Sequence, residues 1–92
     1  MIASFDCPDT EALFHGRRVA RFGGIAASAM RKLAMLNRAE TTDDLRIPPG
    51  NRLEKLSGDR AGQWSIRING QWRICFGFGA GNAFGVEIVD YH

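Results

Sequence analysis

Apolar residues recur with two different periods along this chain, and the change of period divides it in two. Between Ile25 and Arg38, the residues Ala26, Ala29, Met30, Leu33 and Leu36 fall at spacings of three and four, which makes one stripe of a helix. Ser28, Arg31, Lys32 and Arg38 lie on the other side, and Met35 falls among them and breaks the pattern. A shorter helix is expected ahead of it. Pro8 suits a first helical turn, Asp9 and Glu11 sit near its positive end, Ala12-Leu13-Phe14 continue it, and Gly16 stops it. In QWSIRINGQWRICF the period becomes two, and Asn69-Gly70 sits between two alternating runs, the mark of a hairpin. A two-residue turn would set Ile66 opposite Arg73. A three-residue loop, Ile68-Asn69-Gly70 with Gly70 left-handed, pairs Ile66 with Trp72 and Trp64 with Ile74. The second register gathers the apolar residues on one face and Ser65, Arg67, Gln71 and Arg73 on the other, so one buried face selects it.

The remaining segments are shorter. Ile2–Phe5 reads as a strand. Thr41 or Thr42 caps a single turn, and Pro48-Pro49-Gly50 imposes an extended turn. Asn51–Leu56 alternates weakly as a strand with Leu53 inward, and SGDRAG is a loop. GFGAG carries G-x-G-x-G spacing, but no helix follows, so a hairpin loop is expected rather than a nucleotide site. Phe84–Val89 forms a last strand that delivers Asp90, Tyr91 and His92 to its end. The expected fold is α+β in one domain, residues 1–92: two N-terminal helices on one face of a mostly antiparallel sheet of four to five strands.

Composition narrows the setting. No apolar run approaches the ~20 residues that span a bilayer, and MIASFDCPDTEALF lacks the basic region and apolar stretch of a signal peptide. Cys7 and Cys75 make neither a CxxC pair nor a disulfide scaffold, which fits a reducing cytoplasm. Two Cys and two His without ligand spacing argue against structural zinc. The net charge is only +2, yet six cations and no acid lie between Arg17 and Arg38, and ten of the twelve cations are arginine. Arginine suits bidentate phosphate contact, so a modest net charge is compatible with a basic face; the alternative is a solvated, arginine-rich surface. Trp64 and Trp72 are expected in the core, and His15 at a helix end is assigned no function.

NRLEKLSGDRAGQWSIRINGQWRICF, followed by a short loop and a strand ending VDYH, resembles the HigB branch of the RelE-like toxins. The likeness rests on chain length, the two N-terminal helices, the LxxLxGD stretch, the NGxWRI hairpin and the DYH terminus. It implies a ribosome-dependent mRNA endoribonuclease, acting on mRNA in the A site, paired with a HigA-like helix-turn-helix antitoxin. It implies phosphate binding by Arg73 and a functional triplet of Asp90, Tyr91 and His92. Two positions depart from the pattern. Many such proteins carry histidine where this chain has Glu54, while YoeB-type toxins carry glutamate in a similar strand. A lysine common near position 57 is replaced by Ser57, with Lys55 a candidate substitute.

The residues suit that chemistry. An RNA strand is cut when its 2′-hydroxyl attacks the adjacent phosphate, which requires a base, an acid for the leaving 5′ oxygen, and cations for the charge on phosphorus. Glu54 is the candidate base and His92 the candidate acid, since histidine titrates near neutrality. Arg73 is the charge stabiliser, and Arg67, Lys55 and Arg52 are candidate RNA contacts. Tyr91 can stack on or hydrogen-bond to a base, and Asp90 can orient His92 or an arginine. No metal or other cofactor is required. The bland alternatives are an edge-strand surface charge for Glu54, and an Arg73 that pairs with Glu87 or Asp90. Two other functions compete: a ParE-like module that inhibits gyrase by binding, and a non-catalytic ribosome-binding domain.

Overall fold

The structure, a computed structural model, describes residues 1–91; the expected roles of His92 lie outside the described residues. Helix α1 spans Pro8–Phe14, opened by the proline and closed before Gly16, whose φ of 84° suits a residue without Cβ. Helix α2 spans Ala26–Arg38. Four strands follow, β1 (Glu54–Lys55), β2 (Trp64–Arg67), β3 (Trp72–Gly79) and β4 (Asn82–Asp90), paired antiparallel in the order β1-β2-β3-β4. Ile2 and Phe5 do not form a strand. They make isolated parallel bridges to Ala83 and Val86, at the outer edge of β4. Among the described residues, no helix is long and apolar enough to cross a membrane.

The helices cover one face of the sheet. Ala29, Leu33 and Leu36 of α2 are buried with Ile66, Ile74, Phe76 and Ile88, while Ala26 and Met30 are half-buried at the edge of the stripe. Met35, out of step in the pattern, also packs against this cluster and lies near the Asn51 amide. Burying each large side chain is worth about 1.5–3 kcal/mol.

The register of the β2–β3 hairpin differs from the expected one. Ile66 pairs with Ile74 and Trp64 with Phe76, two residues further along β3. Gly70 does not take a positive φ. The cause is Asn69, whose side-chain oxygen accepts hydrogen bonds from the backbone N–H of both Gln71 and Trp72, at 2.8 Å each. The Asn69 side chain thus builds the loop locally, as Asx turns do. A shift of two residues keeps every side chain on its expected face. The tight two-residue turn occurs instead in GFGAGN. There Ala80 and Gly81 both have positive φ, 51° and 77°, between the paired Gly79 and Asn82. What read as a long loop is therefore mostly strand.

The expected strand 51–56 shrinks to Glu54–Lys55. Pro49–Asn51 forms a 3₁₀ turn, and Arg52 follows in the left-handed region at φ 44°. Asn51, not Leu53, is the fully buried residue. Its amide donates to the Leu45 carbonyl at 3.1 Å, and its oxygen accepts from Lys32 Nζ.

Candidate functional site

The second face of the sheet carries the odd-numbered residues of β2 and β3. Cross-strand pairing sets Glu54, Ser65, Cys75 and Glu87 in one row across all four strands. Arg67 and Arg73 pair directly in the neighbouring row. Two like charges placed so would repel, and Arg73 turns away into the row beside it. Its Nε donates to Ser65 Oγ at 2.8 Å, and its Nη2 donates to the Arg52 carbonyl at 2.7 Å and, more weakly, to the Ser65 carbonyl at 3.4 Å. Nη1 lies 3.6 Å from Glu54 Oε1, and the guanidinium carbon is 5.8 Å from the centre of the Tyr91 ring.

The polar face assigned to Arg73 by alternation is covered at this point, and Arg73 is only 7% exposed. The loop at Arg52 and the Tyr91 ring flank it, and its partners supply the acceptors that a buried cation requires. Glu54 carries the compensating charge and stays 55% exposed. Arg73 does not pair with Glu87: that carboxylate accepts from Arg60 Nη1 at 2.8 Å.

Beside this cluster lies a cleft of about 310 Å³ lined by Glu54, Lys55, Ser57, Asp59, Arg60 and Tyr91. The structure thus brings together Glu54, Lys55, Arg73 and Tyr91. Lys55 extends its ammonium to 5.7 Å from the Trp64 ring centre. Asp90 ends β4, where it accepts from Gln71 Nε2 at 3.1 Å, and the Tyr91 N–H donates to the Gln71 carbonyl, so the β2–β3 loop holds both residues. Arg52 contributes its carbonyl to Arg73. Arg67 is half-buried on β2 and is not among the residues lining the cleft.

Sequence reasoning missed Arg60 and Ser65. Arg60 sits in a short 3₁₀ turn, Gly58–Arg60, and its Nη1 also donates to Gln63 Oε1 at 3.1 Å. The Glu87 carboxylate pushes the Arg60 pKa up. The available signal was the local R-x-x-Q spacing, which places two hydrogen-bonding side chains across one turn. Ser65 is fully buried, and its alternation with Trp64 and Ile66 already placed it on the polar face. Within the row, burial raises the Cys75 thiol pKa. At Cys7 burial opposes ionisation, but hydrogen bonds from Thr10 and Asp9 and the charge of Arg21 outweigh it and lower the pKa. Among the described residues, no three His, Cys, Asp or Glu side chains gather as a metal site.

Comparison with known proteins adds a family to this geometry. Toxin HigB-1 of Vibrio cholerae is 50% identical over 52 residues, covering 56% of this chain and 55% of that protein. Endoribonuclease HigB of Proteus vulgaris is 46% identical over 41 residues, 45% of each. The matches thus span about half the length of these curated relatives. The fold is shared with the YoeB–YefM toxin–antitoxin complex of Staphylococcus aureus. One chain of it superposes with a TM-score of 0.62 at 17% identity, covering all of this chain and 98% of its own length. Residues 20–92 match the family of RelE-like toxins of the type II toxin–antitoxin system HigB, and the chain belongs to that HigB-like toxin family.

Proposed function

We propose that this chain is the toxin of a type II pair and a metal-independent endoribonuclease that cuts mRNA in the ribosomal A site during translation. The observation that carries this reading is that Glu54 and Tyr91 line one cleft and Arg73 lies directly behind them, 3.6 Å from the Glu54 carboxylate and 5.8 Å from the Tyr91 ring centre. Glu54 is open to solvent and accepts the 2′-hydroxyl proton. Arg73, held from behind by Ser65 and Arg52, keeps a fixed positive charge next to it, where charge develops on phosphorus. Such a charge needs no reorganisation during the reaction. Tyr91 offers a ring for base stacking. His92 supplies the proton to the leaving 5′ oxygen, and Asp90 orients it.

The proposed machinery comprises one base, Glu54, and one acid, His92, and a free RNA strand would not be held in line for attack. Positioning contributes on the order of 7–11 kcal/mol to such barriers, and the ribosome is the proposed source. The proposed regulatory partner is a HigA-like helix-turn-helix antitoxin, and the proposed compartment is the cytoplasm.

The test is a translation reaction sampled by primer extension. Translated message should be cut at EDTA concentrations that spare the ribosome, and naked RNA slowly or not at all. Growth should stop when the chain is expressed alone and recover when the antitoxin is co-expressed. Efficient, magnesium-requiring cleavage of protein-free RNA would overturn the mechanism. Unaffected growth at high expression would overturn the toxin reading.

A further inference from the structure

Two arginines stand at opposite ends of the row Glu54-Ser65-Cys75-Glu87, and they are held differently. Arg73 spends Nε and Nη2 on the protein interior, and it is not among the residues lining the cleft. Arg60 lines the cleft wall, and its side chain is 36% exposed. Both of its hydrogen bonds, to Glu87 and to Gln63, leave from one nitrogen, Nη1. Among the described residues, Nε and Nη2 have no acceptor. These two nitrogens form one edge of the planar guanidinium, the edge that receives two oxygens of a phosphate in a bidentate contact.

The charges of the wall make the same point. Among the described residues of the wall four are charged, Lys55 and Arg60 against Glu54 and Asp59. Without Arg60 these described residues would be net negative, which would repel a nucleic-acid backbone.

We infer that Arg60 is a backbone-phosphate contact of this cleft, with Glu87 its positioning residue. This rests on the reading of the chain as an RNA-cutting toxin, and it adds a ligand contact to that site. Glu87 holds the guanidinium by one end and turns the other end outward. The Arg60–Glu87 pair is then more than a surface staple, because a staple has no need of a spare donor edge on a residue that lines the cleft.

The experiment measures binding of the whole chain to a short single-stranded 2′-O-methyl RNA, which lacks the attacking hydroxyl, across a salt series. Each phosphate neutralised on a single strand contributes about 0.7 to the slope of log affinity against log salt. Arg60→Gln should lower that slope by about 0.7 and should melt close to the wild type. Arg60→Lys should keep most of the slope, and Glu87→Gln should keep the slope while binding more weakly. Arg60→Gln binding with an unchanged slope, or a wild type that fails to bind at low salt, overturns the inference. Should Arg60→Gln not fold, Arg60→Lys and Glu87→Gln still decide it. A loss in both with no change in their ratio to wild-type affinity across salt supports lost geometry, and unchanged binding by both overturns the inference. Cleavage of translated message by the wild type is scored separately. Its absence, with the salt slopes as expected, removes the nuclease reading and leaves the phosphate contact standing.

Discussion

On one face of the central hairpin Ile66 stands opposite Ile74; on the other, one residue away, Ser65 stands opposite Cys75 and Arg67 opposite Arg73. Ser65, Cys75 and Arg73 are buried, as are Ile66 and Ile74. The means differ. The apolar face is stabilised by area removed from water, which has no direction. The polar face is stabilised by hydrogen bonds from one guanidinium to named oxygens, which have direction and length. The first should tolerate changes of shape at constant volume, and the second should not tolerate a change of donor geometry at constant charge.

The largest expected break is Phe76→Ala on the apolar face. Phe76 is fully buried, and truncations of this kind cost about 3–5 kcal/mol. A small domain with 5–15 kcal/mol in total would lose much of its cooperative melt. A loss below about 1 kcal/mol would mean that the core does not depend on this strand.

Next is Arg73→Ala. It removes the donors from Ser65 Oγ and the Arg52 carbonyl, and leaving buried polar groups unmatched costs about 1–3 kcal/mol. Cleavage should also fall, by about 10²–10³-fold for a lost transition-state contact. Arg73→Lys separates the two effects. One ammonium cannot reach both acceptors in the geometry of the fork, so the variant should recover fold before it recovers cleavage. Equal recovery of both by Lys would remove the directional account of this face.

The smallest effect lies outside both faces. The Asp44 carboxylate accepts from the backbone N–H of Glu40 at 2.9 Å and of Thr41 at 3.1 Å, and these bonds hold its pKa below the ordinary value. A depressed carboxylate stabilises the fold above its unfolded pKa, near 3.9, and that stability is lost as pH falls through the folded pKa. Asp44→Asn should therefore melt slightly below the wild type at neutral pH, with the gap closing below about pH 4. A gap independent of pH would remove the charge from the explanation.

These contrasts also mark what the sequence made legible. Helix boundaries at Pro8 and Gly16 and the stripe of α2 were readable because each is local. The two faces of the hairpin were readable too, because alternation survives a shift of two residues. The pairing partners were not, since the Asn69 side chain, rather than a left-handed Gly70, sets the loop. The burial of Arg73 was hidden for a different reason. Alternation tells which face a residue occupies but not what flanks that face, and here the loop at Arg52 and the Tyr91 ring arrive from distant sequence. Arg60 was overlooked because its partner Glu87 is 27 residues away.

The grip on Arg73 at position 52 comes from the main chain: the acceptor is the Arg52 carbonyl, and the backbone there is left-handed, φ 44°. Any residue carries that oxygen, so this grip on Arg73 is indifferent to the side chain at position 52 but bounded in backbone shape. Glycine, asparagine and aspartate fit the turn readily. A β-branched residue would strain it and pull the acceptor from the guanidinium. A lineage could therefore shed the charge of Arg52 and keep the anchor of its central arginine.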